Sequence, residues 1–328
     1  MKPLNQVNWG VIGCGNVCER KSAPAMNKIP HSKLVAVMRR NETKVKDYAN
    51  RHQVPKWYTD ASDLIQDPDV NAIYIATPPH LHKKYTLEAA AMGKPVYVEK
   101  PMARTYQECL DMIEACEEAK VPLFVAYYRR RLPHLQQVKS WIDRGLIGVI
   151  RSVSIELFQS PKPTVVDASQ SNWRVQPEFS GGGYFFDLAS HQLDYLDYLF
   201  GPISKATGLI RNQANLYEAE DVVSATFEFE TGIMGSGMWC FTVSEKAQKE
   251  EMVIRGSKGW IRFHAFSSSQ IQIESDQLIE TLDFEMPFHI QQPLIETIVQ
   301  ELLGVGTCPS HGDAAARTNW VMDQITKG

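Results

Sequence analysis

No stretch of this sequence stays apolar long enough to cross a bilayer, which leaves no candidate for a membrane-spanning helix. Basic residues are not in excess: 34 Lys and Arg face 38 Asp and Glu, a net charge of −4. There is thus no electrostatic case for a nucleic-acid partner or an anionic membrane surface. Cysteine is sparse and unframed, at positions 14, 18, 109, 116, 240 and 308. Cys14 and Cys18 have no second Cys pair or His nearby, so a zinc site is not expected and the thiols read as reduced. Repeats, low-complexity tracts and a disordered linker are all missing. The opening MKPLNQVNWGVIGCG carries no charged-then-apolar leader with a cleavage site, so a cytoplasmic protein is expected. What remains, at 44% hydrophobic and 22% charged over 328 residues, is a soluble globular chain long enough for two domains.

The first third alternates strand and helix. Val7–Ile12, Leu34–Met38, Asn71–Ala76, Val96–Val98 and Leu123–Ala126 are short apolar runs of buried-strand type. Between them lie helical stretches over Val17–Met26, Lys44–His52, Asp60–Gln66, His82–Met92 (closed by Gly93) and Tyr106–Ala119. Strands separated by helices imply right-handed βαβ units and a doubly wound parallel sheet of Rossmann type. Past Arg130 the pattern changes. Ser152–Leu157 and Ser224–Phe229 alternate polar and apolar residues, and hairpin signals stand at Thr231-Gly232 and Gly256-Ser257-Lys258-Gly259. The expectation is a Rossmann domain over 1–124 and an α+β domain over 125–328 built on a large, mostly antiparallel open sheet.

GCGNVC, Gly13 to Cys18, follows the first strand and opens a helix, the context of a dinucleotide fingerprint. Gly13 allows a tight turn, and Gly15, with Asn16 and Val17 behind it, lets the backbone approach a pyrophosphate. Cys18 stands where a third glycine is usual. At the end of the second strand an NAD site usually carries Asp or Glu for the ribose 2′-hydroxyl. This chain has Arg39-Arg40-Asn41 there, and two guanidiniums suit a 2′-phosphate. NADP(H) is therefore the expected cofactor, with NAD(H) the alternative and adenine stacking a second use of Arg39. Thr77-Pro78-Pro79-His80-Leu81-His82 closes the next strand; for His82 a cofactor contact and a capping turn are equally open. Glu99-Lys100-Pro101 closes the strand after that. Three consecutive strand ends bearing polar groups are what a ligand crevice requires.

Gly181-Gly182-Gly183 leads into a helix in which Asp187 and His191 lie four apart, so that they share one face, and Asp194 continues it. A carboxylate beside an imidazole is a usable acid/base pair.

A dinucleotide fold followed by EKP and GGGxxxDxxxH resembles the Gfo/Idh/MocA family of oxidoreductases over nearly the whole chain. Phe124–Arg130 resembles its sixth-strand segment, and Asn172-Trp173-Arg174 its WR element. The resemblance implies that Lys100 lies near the nicotinamide and the reacting carbon, with Asp187 and His191 completing the site. It also implies that the second domain's sheet forms a homodimer or homotetramer. Two departures stand out: Ala189 in place of a usual glycine, and Arg131 where an aromatic is common. On this reading hydride moves between nicotinamide and a sugar, cyclitol or related polyol. His191 is the general acid/base, Asp187 orients substrate and tunes His191, and Lys100 holds the reacting oxygen or itself exchanges the proton. Glu99 positions Lys100 or the nicotinamide ribose. Trp173, Arg174, Tyr127 and Tyr128 are candidate walls for cofactor or sugar, although Tyr and Trp pack cores as often. Two other functions fit much of the pattern: an NAD-dependent glycosidase of the same family and a non-catalytic dinucleotide sensor.

Overall fold

A computed structural model of the chain describes residues 1–162 and 172–327. It divides into two compact units, Met1–Tyr128 with Pro287–Ala316 and Arg129–Met286 with Arg317–Gly328.

In the first unit β1 (Val7–Ile12), β2 (Ser32–Met38), β3 (Lys56–Tyr58), β4 (Ala72–Ile75), β5 (Val96–Val98) and β6 (Leu123–Val125) form one sheet. The order is β3-β2-β1-β4-β5-β6, with every pair parallel. This is the Rossmann order, and it reverses between β1 and β4, beyond whose carboxyl ends such sheets bind ligands. Every side chain of β4 and β5 is buried, as expected where helices cover both faces. Side-chain caps fix the helix starts: Asn41 accepts from Lys44 N at 2.9 Å, Asp60 from Ser62 N at 2.8 Å and Thr105 from Glu108 N at 3.2 Å. Each such cap is worth about 1 kcal/mol.

The helix expected over Val17–Met26 is two, Asn16–Arg20 and Ala23–Met26. Pro24 has no N–H to give the Arg20 carbonyl, so the first helix cannot run through. That carbonyl instead meets the His289 ring at 2.5 Å, and Lys21 O accepts from Gln291 N at 3.0 Å. These bonds explain a correction to the expected division of the chain. Residues 287–316 return to the first unit, where the helix Gln292–Leu302 buries Leu294, Ile295, Ile298, Val299 and Leu302. Ser310 clamps β6 in two directions, its O accepting from Val125 N at 3.0 Å and its hydroxyl donating to Val125 O at 2.8 Å.

The second unit contains β7 (Ile150–Phe158), β8 (Ile203–Arg211), β9 (Val222–Phe229), β10 (Met234–Cys240), β11 (Lys249–Gly256), β12 (Gly259–Phe263), β13 (Ile271–Ser275) and β14 (Ile279–Leu282). They form one sheet in the order β14-β13-β12-β11-β7-β10-β9-β8. The hairpins β9–β10 and β11–β12 stand where the turn residues put them, while β7 pairs parallel to β10. The helix Ser190–Phe200 lies on this sheet's inner face. Tyr195 meets Phe263 edge-on at 5.7 Å, and Gln192 Oε1 accepts from Trp239 Nε1 at 2.8 Å. Among the described residues no helix is long and apolar enough to cross a membrane.

Candidate active site

The glycine loop is set by its neighbours. Gly13 has φ +89°, and a Cβ on it would lie 2.8 Å from Thr77 Cγ2 and 3.0 Å from Ala76 O, so only glycine fits between β1 and the end of β4. Gly13 N and Cys14 N both donate to Met38 O, at 2.9 and 3.2 Å, which ties the loop to the end of β2. Gly15 differs. Its φ is −103°, and a Cβ there would meet nothing closer than Gly13 O at 3.8 Å. No packing among the described residues demands glycine at this position, which suits a ligand's close approach. Thr77 Oγ1, beside the same loop, is buried with no hydrogen-bond partner among the described residues. A phosphate or ribose oxygen would satisfy it.

At the end of β2, Arg39 donates from Nη1 to Cys14 O at 3.3 Å and so leans over the glycine loop. Arg39, Arg40, Asn41 and Lys44 line a cleft of about 520 Å³, and the Asn41 cap fixes its turn. Three cations and an amide line it, with no carboxylate among the described residues. Glycine loop, orphaned hydroxyl and basic cleft together fit a dinucleotide. Cys14 is buried beside them, and burial pushes its thiol up to about 11, which leaves it protonated and unreactive at neutral pH.

His82 is buried, with Nε2 2.8 Å from Thr77 O and Nδ1 3.2 Å from both Pro101 O and Met102 O. Burial lowers the pKa of this ring against the pull of those carbonyls. These contacts set the ring between the β4 end and the segment after Lys100, and a neutral imidazole donates from one of its two nitrogens. Pro78 starts the 3₁₀ turn Pro79–Leu81 that leads into this helix. The Lys100–Pro101 peptide bond is cis. Glu99 is 8% exposed; its Oε1 accepts from Tyr74 OH at 2.6 Å and Gln291 Nε2 at 2.7 Å, and Oε2 accepts from Lys100 N at 3.2 Å. Tyr127 belongs to the hydrophobic core of this unit and Tyr128 is 7% exposed.

In the second unit the glycine run is a packing device. A Cβ on Gly183 would stand 2.9 Å from Ala219 Cβ, and Gly183 N donates to Glu220 Oε1 at 2.9 Å. Phe185–Ala189 is π-helical, the five-residue hydrogen-bonding pattern often found at functional sites. It carries Asp187, whose carboxylate pairs with Arg174 Nε at 3.3 Å. The Arg174 guanidinium lies 4.4 Å from the centre of the Trp173 ring, and Asn172 Oδ1 accepts from Arg174 N at 3.2 Å. His191 is 2% exposed and meets the Phe266 ring edge-on at 6.1 Å. The WR element and Asp187 are thus brought together. Asp194 leaves the expected stripe: fully buried, it takes a bidentate pair from Arg130 at 2.6 and 2.9 Å.

Sequence reasoning missed Gln291 and Tyr74, which hold Glu99. The available signal was the tyrosine in each of the buried strands AIYI and VYV, since a buried phenol needs a polar partner. Lys44 was read only as a helix residue; it lies one turn after the Asn41 cap and so returns to the arginine cleft.

A Rossmann sheet with this loop, and Lys100 at its carboxyl edge, defines a dinucleotide-dependent oxidoreductase. The model of the oxidoreductase family's NAD-binding Rossmann fold, GFO_IDH_MocA, matches residues 7–127, and that of the GFO/IDH/MocA C-terminal domain matches residues 135–262. Oxidoreductase P35 of Formosa agariphila is 42% identical over 321 residues, 97% of this chain and 98% of that protein. Levoglucosan dehydrogenase of Pseudarthrobacter phenanthrenivorans is 31% identical over 221 residues, 63% of this chain and 54% of that one. The solved WlbA dehydrogenase from Bordetella pertussis, in complex with NADH and UDP-GlcNAcA, superposes with a TM-score of 0.82. It is 27% identical, with 98% of this chain and 96% of that one covered. The chain belongs to the GFO/IDH/MocA family of NAD(P)-dependent oxidoreductases.

Proposed function

We propose that the protein transfers hydride between NADP(H), in preference to NAD(H), and a CH–OH carbon of a sugar, cyclitol or related polyol in the cytoplasm. The observation that carries this reading is the cleft lined by Arg39, Arg40, Asn41 and Lys44, in a Rossmann unit whose β5 is followed two residues on by Lys100. The preference for NADP(H) is drawn from these cations; the WlbA complex holds NADH. The carbohydrate class has support from a relative that is a levoglucosan dehydrogenase and a neighbour solved with UDP-GlcNAcA.

On this reading Gly13, Gly15, Asn16, Val17, Thr77 and Pro78 hold the dinucleotide, and the arginine cleft takes its 2′-phosphate. When bound, the nicotinamide accepts or gives the hydride. Lys100 donates a hydrogen bond to the reacting oxygen and polarises its C–O bond. His191 takes the hydroxyl proton in oxidation and returns it in reduction, and Asp187 orients substrate and that ring. Arg174 and Trp173 offer a planar donor and an aromatic face to a hydroxyl-rich ring. Glu99, with its Oε1 already engaged, orients Lys100 rather than carrying protons.

The test is a panel of levoglucosan, myo-inositol and common aldoses with NADP⁺ and NAD⁺, followed by absorbance of the reduced nicotinamide. Lys100→Ala and His191→Ala should each lower kcat by about 10²–10⁴ while NADPH still binds. If both variants turn over like the parent, the assignment is wrong. A cofactor sensor would bind NADPH and turn over nothing in the panel.

Assembly through the eight-stranded sheet belongs to the same reading. Leu209 and Met238 both face Ser224 across the strands, so the three share one face, and Leu209 and Met234 are 72% and 53% exposed.

A further inference from the structure

Four buried polar side chains meet under the end of β5. Tyr74 and Gln291 both donate to Glu99 Oε1, at 2.6 and 2.7 Å, and Tyr97 OH donates to Gln291 Oε1 at 2.8 Å. The Tyr74 and Tyr97 rings stack at 4.8 Å, and neither they nor Gln291 has exposed surface. Fold stability alone does not call for such a set, because apolar side chains of similar volume serve a buried site as well or better. A satisfied polar network instead fixes one geometry. Here it fixes a carboxylate whose second oxygen accepts from the backbone N–H of Lys100. On the other flank the His82 ring binds the carbonyls of Pro101 and Met102.

We infer that Gln291, reaching back from the distant return segment, is a positioning residue that aims Glu99 and Lys100 at the nicotinamide end of the cofactor. The inference rests on the proposed placing of the nicotinamide beside Lys100.

Gln291→Glu puts a carboxyl of nearly the same shape against Glu99. Two carboxyls so close share a proton, and the second ionisation moves well above the usual carboxylate range. At low pH the shared proton preserves the network; at high pH two like charges push Glu99 away. Among the native groups facing Glu99, burial pushes the Tyr74, Tyr97 and Cys18 pKa values well up and that of His82 down. None of these four changes charge between about pH 7 and about pH 9. Lys100 adjoins Glu99 in both proteins, so the readout is the ratio of the NADPH Kd of the variant to that of the parent, by fluorescence titration against pH.

The ratio should stay near one at about pH 7 and rise about tenfold or more by about pH 9, with melting curves showing a folded variant throughout. A folded Gln291→Glu protein with a flat ratio overturns the inference. If that variant does not fold, Tyr74→Phe removes the other donor without adding charge or volume. It should weaken NADPH binding about threefold or more, and unchanged binding overturns the inference equally. A parent that binds neither NADPH nor NADH defeats the underlying reading; a parent that binds, with a flat ratio, defeats this inference alone.

Discussion

Replacing Arg39 by alanine tests the reading of the cleft at the end of β2. Its guanidinium gives one donor to Cys14 O at 3.3 Å, and among the described residues no other bond is made by the rest. A hydrogen bond to a charged group is worth about 1.5–3 kcal/mol, and about 1.4 kcal/mol is tenfold in affinity. The full range would be about ten- to a hundredfold, but the cleft is open and Arg40 is exposed. Near a surface the attraction of two charges 4 Å apart falls between about 1 and 4 kcal/mol, so the lower end applies. Arg39→Ala should therefore weaken NADPH about tenfold, and Arg40→Ala or Lys44→Ala about threefold each. NADH has no 2′-phosphate and should weaken less than about threefold in all three. The assay is a pair of fluorescence titrations, NADPH and NADH side by side, at low and high salt. Salt at about 1 M shortens the screening length to about 3 Å, so the advantage of NADPH should shrink as salt rises. Equal loss of both cofactors in Arg39→Ala would mean that Arg39 stacks on adenine and reads no phosphate. Tighter NADH than NADPH in the unmodified protein would refute the cofactor preference outright.

Thr77→Val keeps the shape of the side chain and removes a buried hydroxyl that has no partner among the described residues. Thermal melting should show the cofactor-free protein more stable by about 1–3 kcal/mol, while NADPH titration shows weaker binding; a loss of stability would mean that the hydroxyl serves the fold. Leu209→Glu places a charge on the proposed assembly face and should shift the sedimenting species to the monomer without changing the fold. An unchanged assembly would move the interface elsewhere.

The Rossmann half was readable because its signals are local. A strand such as AIYI is buried on both faces and needs only apolar side chains, and caps such as Asn41 and Thr105 stand next to what they cap. Strand β3, Lys56-Trp57-Tyr58, escaped because none of its three side chains is fully buried, so it lacks the apolar run that marks the equally short β5 and β6. The helix Gln292–Leu302 has a clear apolar stripe, but a stripe does not say which sheet it covers. Its destination is set by bonds to Arg20, Lys21 and Glu99, carbonyls and a carboxylate more than a hundred residues away.

The same distinction separates the two kinds of site residue. Gly13, Arg39 and Lys100 lie at strand ends, so their positions follow from the order of elements, which periodicity gives. Asp194 shows the opposite case. Its spacing from Asp187 and His191 puts it on a functional stripe, yet Arg130 meets it in the core, and burial pushes its carboxyl up to about 6 even beside that guanidinium. An acidic side chain at helical spacing therefore reports a face, and only its partner reports a role. Glu99 makes the argument sharper: it stands one residue before Lys100 in a three-residue motif, and its carboxylate accepts three hydrogen bonds, from Tyr74 in β4, from Gln291 in the return segment and from the backbone N–H of Lys100 itself. Its carboxylate is fixed from below before any ligand arrives. In the proposed role of aiming Lys100 at a reacting oxygen, rigidity of that kind lowers the reorganisation needed in the transition state.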